Sequence, residues 1–167
     1  IICENKDLFI KILFASFPVM IVGFILVQTN YIDKIRNIEL IAWTTFIFGV
    51  LLYLSDKFKL ERDIKKNLSY KLVFVIGCFQ ILSLIPGVSR SGITITASRF
   101  LNFKRFDAAK LSFLMSIPTL GAVSFFGLYN LANSQSFNFT LINLISIFLS
   151  CFFSFITIKY FIKYIQK

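Results

Sequence analysis

At 167 residues the chain is long enough for one domain, but 57% hydrophobic residues, 22 Phe and only 16% charged residues exclude an ordinary soluble one and place it among integral membrane proteins. The net charge of +10, from 18 Lys and Arg against 8 Asp and Glu, reads as a basic cytoplasmic membrane face. No basic stripe interleaves with a soluble fold, so nucleic acid is not an expected partner. There is no histidine, which excludes His-based acid–base or metal chemistry within this chain. Cys3, Cys78 and Cys151 are far apart and odd in number, and read as small hydrophobes, neither disulfides nor metal ligands. Ile1-Ile2-Cys3-Glu4-Asn5 has no basic n-region and no cleavage site, and reads as the interior of something longer.

The first expected span is residues 8–28, close to the ~20 residues that a bilayer core of about 30 Å demands. Pro18 and Gly23 are tolerable there, because neighbouring helices re-satisfy the backbone. A polar connection over 30–37 leads to a second span, 38–54, with Trp43 and Tyr53 toward its ends as interfacial aromatics. Residues 55–71 carry Lys57, Lys59, Arg62, Lys65, Lys66 and Lys71 against Asp56, Glu61 and Asp63, and read as a solvated cytoplasmic loop.

Residues 72–85 are apolar but give only about 21 Å of helix before Pro86-Gly87 breaks it, too short a crossing. A second short arm, 93–101, follows, and Lys104, Arg105 and Lys110 mark an aqueous edge. The expectation is a re-entrant helix-loop-helix over about 72–101, its irregular backbone buried in protein. Spans 111–132 and 137–158 complete a single all-α, polytopic membrane domain with four transmembrane helices over residues 1–167. With a returning hairpin, fifteen of the basic residues share one face, against Lys34 and Arg36 on the other and Arg90 alone in the membrane. The positive-inside rule makes the fifteen-residue face cytoplasmic and puts the hairpin tip past the midplane, toward the external leaflet.

Ser89-Arg90-Ser91-Gly92-Ile93-Thr94 has the parts of an oxyanion site. Glycines let backbone N–H groups approach a ligand, and a helix starting near Gly92 would aim its positive end at an anion. Arg90 adds a planar fork for two phosphate oxygens, and Ser89, Ser91 and Thr94 supply hydroxyls. Phosphate or diphosphate is the natural ligand. A purely structural reading is also open: Pro-Gly turns the chain, hydroxyls such as that of Ser91 cap the second arm, and Arg90 satisfies carbonyls ending the first. An arginine in hydrocarbon costs at least ~2.5–3.5 kcal/mol, too much for a mere cap.

The stretch Gly77-Cys78-Phe79-Gln80-Ile81-Leu82-Ser83-Leu84-Ile85-Pro86-Gly87-Val88-Ser89-Arg90-Ser91-Gly92-Ile93-Thr94 closely resembles the second signature of the bacterial undecaprenyl-diphosphate phosphatase family, the bacitracin-resistance type. Phe113-Leu114-Met115-Ser116-Ile117-Pro118 is similar to the segment that follows it, and Lys11 to Gly23 match more loosely. The resemblance implies a multi-pass enzyme of the bacterial cytoplasmic (inner) membrane with two re-entrant hairpins in inverted repeats. Its substrate is undecaprenyl diphosphate, met among membrane lipid, and its reaction removes the terminal phosphate at the outer leaflet, recycling a cell-wall lipid carrier. It further implies that Arg90 holds the diphosphate and acts with Ser89 in catalysis, that Ser91 and Thr94 contact phosphate, and that Gly87 and Gly92 shape the loop. A divalent cation, magnesium or calcium, is implied as cofactor, and a homo-oligomer is compatible with the family.

The family's first signature, a glutamate-rich helix leading to a Pro-x-Ser-Ser-x-x-His loop, is not found in this chain, nor is its last span. Glu4, Asp7, Asp33, Glu39, Asp56, Glu61, Asp63 and Asp107 all fall in loops or at span edges, so no metal ligands are expected beside Arg90. The expectation is one half-site of a diphosphatase, inactive alone. The alternatives are a lipid-phosphate binding or transport protein that clamps without hydrolysis, and an inactive truncated remnant.

Overall fold

A computed structural model of the chain describes residues 6–29, 37–57, 62–64, 68–133 and 141–165. Its helices are α1 (Lys6–Gln28), α2 (Ile38–Asp56), α3 (Tyr70–Ile81), α4 (Arg90–Phe100), α5 (Arg105–Asn133) and α6 (Leu141–Ile165), with a 3₁₀ turn at Leu82–Leu84. The only β pairing among the described residues is an isolated bridge between Arg62 and Phe103. The protein is therefore all-α, and α1, α2, α5 and α6 are each long and apolar enough to cross a bilayer. Apolar side chains such as Phe17 on α1, Trp43 and Phe46 on α2 and Phe148 on α6 are exposed, as lipid-facing residues must be. This is a multi-pass membrane protein.

The expected boundaries shift where charged residues join a helix. Helix α5 starts at Arg105, not 111, because the Ala108 N–H bonds to the Lys104 carbonyl (2.8 Å) and opens the helix outside the apolar stretch. Helix α6 reaches Ile165, past the expected end at 158. Residues 30–36 of the expected connection over 30–37, residues 58–61 and 65–67 of the charged loop, and the start of the fourth span at 137–140 lie outside the described residues.

Two compact units divide the chain, Ile1–Leu120 and Gly121–Lys167. In the first, α1 and α3 run parallel. Tyr70 donates to Asp7 (3.0 Å) at one end, Phe14 meets Phe74 further along, and Leu84 approaches Gly23 beyond the last turn of α3. The helices touch backbone to backbone at Gly77, where a Cβ would lie 2.1 Å from the Ala15 carbonyl oxygen. The buried face of α3 is Val73, Ile76, Gly77 and Gln80, one stripe at helical spacing. Val73 and Ile76 join Ile12, Ala15, Ala97, Phe103, Leu111 and Met115 in the core. Gln80 is fully buried, and neither atom of its amide has a hydrogen-bond partner among the described residues. In the second unit none of the apolar stretch of α6 is buried.

The hairpin α3–α4 returns to the end it left. Arg62, shortly before α3, donates its N–H to Asn102 (3.0 Å) and accepts from the Lys104 N–H (3.2 Å) just after α4. Asn102 adopts φ of 70°, a left-handed position that asparagine tolerates. At this base Asp56, the last residue of α2, gathers two arginines. Arg99, 5% exposed, reaches its carboxylate (3.2 Å) and its carbonyl (2.9 Å), and Arg105 grips the carboxylate with both faces of its fork.

The close α1–α3 crossing makes a direct prediction. Gly77→Ala is expected to destabilise the detergent-solubilised protein by about 1–3 kcal/mol, since the methyl meets rigid backbone. Gly49→Ala, with nothing within 4 Å of the new carbon, leaves the thermal midpoint unchanged or slightly higher.

Candidate functional site

The loop joining α3 to α4 is built by local rules. Pro86 and Gly87 occupy the middle of a turn closed by the Val88 N–H on the Ile85 carbonyl (3.1 Å), and Gly87 has φ of 92°. Proline followed by a positive-φ glycine is the type II pattern. Glycine is required twice over, because a Cβ there would lie 2.2 Å from Thr44 Oγ1 and 2.7 Å from the Ile41 carbonyl oxygen. The turn thus sits against α2. Thr44 donates to the Pro86 carbonyl (2.7 Å) and Thr45 to the Gly87 carbonyl (3.0 Å).

The next residues open α4, and here the structure corrects one expectation. The helix starts at Arg90 rather than near Gly92, and the capping residue is Ser89 rather than Ser91. Ser89 is extended, and its Oγ accepts from the Gly92 N–H (3.2 Å). Gly92 leaves room for this cap, since a Cβ would approach Ser89 Oγ to 3.3 Å. One first-turn amide is therefore used internally, while those of Arg90 and Ser91 have no intrahelical acceptor. Ser89 Oγ and Ser91 Oγ lie 3.3 Å apart, both residues exposed at the helix mouth.

Arg90 does not turn back to the carbonyls of the first arm. Its Nη1 donates to Thr119 Oγ1 on α5 (3.2 Å), leaving most of its five N–H donors for other partners. Thr94 is placed differently from the other candidates. It is buried, shares a 2.6 Å hydrogen bond with Ser112 Oγ, and donates back to its own helix. Ser112 also reaches the Ser91 carbonyl (3.4 Å). The structure thus gathers Gly87, Ser89, Arg90, Ser91 and Gly92 at one mouth and sets Thr94 behind them as the tie between α4 and α5.

Thr44, Thr45, Ser112 and Thr119 were not singled out by sequence reasoning. A faint signal existed: Ser112 and Thr119 are seven residues apart, on one face of α5 with buried Met115, where hydroxyls need partners.

A divalent cation does not fit the described residues. No three His, Cys, Asp or Glu side chains gather among them; of the two carboxylates of α2, Asp56 is occupied by Arg99 and Arg105, and Glu39 is exposed in the first turn. Asp56 is twelve residues along α2 from Thr44, about 18 Å at 1.5 Å per residue.

The sequence profile of the family described as Bacitracin resistance protein BacA matches residues 3–167. The chain belongs to the BacA family. A relative from Pelagibacter ubique (strain HTCC1062), named Undecaprenyl-diphosphatase, is 47% identical over 165 residues, covering 98% of this chain and 64% of the relative. One of the same name from Saccharophagus degradans is 36% identical over 165 residues, covering 98% and 61%, and one from Roseobacter denitrificans is 45% identical over 117 residues, covering 70% and 44%. This BacA-family chain thus spans less than two thirds of the relatives it matches.

For the loop itself, Gly87→Ala is expected to lower the thermal midpoint, since a left-handed conformation alone costs ~1–2 kcal/mol and the methyl also displaces α2. Thr44→Val with Thr45→Val, which leaves two carbonyls without their side-chain donors, is expected to do the same without changing the turn residues. Unfolding followed by circular dichroism in detergent checks both.

Proposed function

We propose that the loop from Gly87 to Gly92 binds the diphosphate of undecaprenyl diphosphate, and that the protein carrying this chain hydrolyses it to undecaprenyl phosphate. The observation that carries this reading is the mouth of α4: the Arg90 and Ser91 amides have no intrahelical acceptor, Ser91 is exposed, and the guanidinium borne by Arg90 has a single neutral partner among the described residues, a set of donors at which an anion is expected to bind. The name shared by the relatives supports the lipid diphosphate as that anion.

In this reading the terminal phosphorus is attacked by water or a hydroxyl, and its bond to the bridging oxygen breaks. The electron pair leaves on undecaprenyl phosphate. Arg90 and the helix amides hold the non-bridging oxygens, where charge redistributes in the transition state. Ser89, bound to the Gly92 amide, fixes the cap and presents its hydroxyl beside that of Ser91. Thr94 serves the site through Ser112, by holding α4 in register. A magnesium or calcium ion, and the acid–base groups for the proton transfers, belong to parts of the protein other than the described residues.

Helix α2 supports a location for the site. Its Asp56 end lies with Lys57, Arg99, Lys104 and Arg105, the charged edge of the membrane, and its Thr44 end holds the loop about 18 Å away. Against a core of about 30 Å the tip lies past the midplane. With the basic face cytoplasmic, the site opens toward the external leaflet of the bacterial cytoplasmic membrane.

A second reading, a clamp that binds lipid phosphate without hydrolysing it, is favoured by one observation: no carboxylate pairs with Arg90 among the described residues, and the chain has no histidine. The two separate by experiment. In vesicles, the 167-residue chain is expected to bind farnesyl diphosphate and release no phosphate. Arg90→Ala should weaken binding about 10- to 100-fold, the worth of one or two hydrogen bonds to a charged group. Undiminished binding by this variant would remove the basis for the site, and phosphate release by the chain alone would show that its catalytic groups lie within it.

A further inference from the structure

Arg90 is a long side chain at the first position of a short helix, and only one protein group holds its guanidinium in the described structure: Thr119 Oγ1, 3.2 Å from Nη1. The geometry of Thr119 decides the direction of that bond. Its hydroxyl lies 3.1 Å from both the Met115 and Ser116 carbonyls of its own helix, so its proton is committed there and its oxygen is left to accept. Thr119 is 3% exposed, and its oxygen has no competing solvent. It follows Pro118 in α5, and the neighbouring pair Ser112–Thr94 fixes the register that brings α5 to Arg90.

We infer that Thr119 is the positioning residue for Arg90. By taking one N–H of Nη1, it sets the plane of the guanidinium while leaving the remaining donors, enough for a two-pronged grip on phosphate. An arginine already held in place loses less rotamer freedom when the ligand arrives, which tightens binding without any contact between Thr119 and substrate. The inference rests on the diphosphate reading of the loop.

The test is a double-mutant cycle on the reconstituted chain, with farnesyl diphosphate as the probe and inorganic phosphate as the control ligand. Thr119→Val removes the acceptor but keeps the branched shape, and is expected to weaken farnesyl diphosphate binding about threefold to tenfold. Thr119→Ser keeps the acceptor and should bind as the unaltered chain does. In an Arg90→Ala background Thr119→Val should have no further effect, because the group it positions is gone. If Thr119→Val proves unstable, Thr119→Ala takes its place in the same cycle. Equal losses from the Thr119 change with and without Arg90 would show a packing role and overturn the inference. So would full binding by Thr119→Val while Arg90→Ala is impaired. If Arg90→Ala itself binds normally, it is the diphosphate reading that fails, a result separable from the other two.

Discussion

A chain that leaves helical geometry between packed helices must find donors for the carbonyls it frees, because apolar side chains offer none. At Pro86 and Gly87 those donors are the hydroxyls of Thr44 and Thr45 on α2. The rest of the first unit follows from this attachment. The turn can approach α2 only because residue 87 has no side chain, and once it is fixed, α4 must begin at residue 90 with its amides at the mouth of the loop. The same helix α2 secures the base of the hairpin through Asp56, so one rod holds both ends of the helix-loop-helix.

Two kinds of polar chemistry are thereby kept apart. At the base the single Asp56 carboxylate holds both Arg99 and Arg105, and the arginines are structural. At the tip no carboxylate pairs with Arg90 among the described residues, and a neutral hydroxyl holds it. This difference between Arg99 and Arg90, nine residues apart on one short helix, supports a functional reading of the second and a packing reading of the first. Hydroxyls do much of the remaining work: Thr94, Thr96 and Ser98 donate to the carbonyls of Arg90, Gly92 and Thr94, four residues earlier, which lets a polar helix be buried.

The membrane class, the four long helices and the break at Pro86-Gly87 were legible in the sequence, because they rest on length, hydropathy and turn chemistry that act locally. That α4 ends beside the start of α3 is seen in the bonds of Arg62 to Asn102 and Lys104, and the charges of Arg99, Lys104 and Arg105 suit an aqueous edge at that end. The helix start was misplaced by two residues. Ser89, Ser91 and Gly92 each suit a helix start, and only the Ser89–Gly92 bond selects among them. The partners of the loop were not legible. Thr44 and Thr45 are forty-two residues from the carbonyls they serve, and Thr119 twenty-nine from Arg90, and nothing in an apolar span announces such pairings.

In the proposed function the Arg90 guanidinium grips phosphate at the mouth of α4. Solid-state NMR of the reconstituted chain, with ¹⁵N in the arginine side chains and farnesyl diphosphate supplying ³¹P, measures that contact directly. The expected result is dipolar dephasing of one guanidinium signal, consistent with N···O distances of about 2.7–2.9 Å and absent in Arg90→Lys. Saturating ligand with no guanidinium dephased, or dephasing that persists in Arg90→Lys, would contradict it.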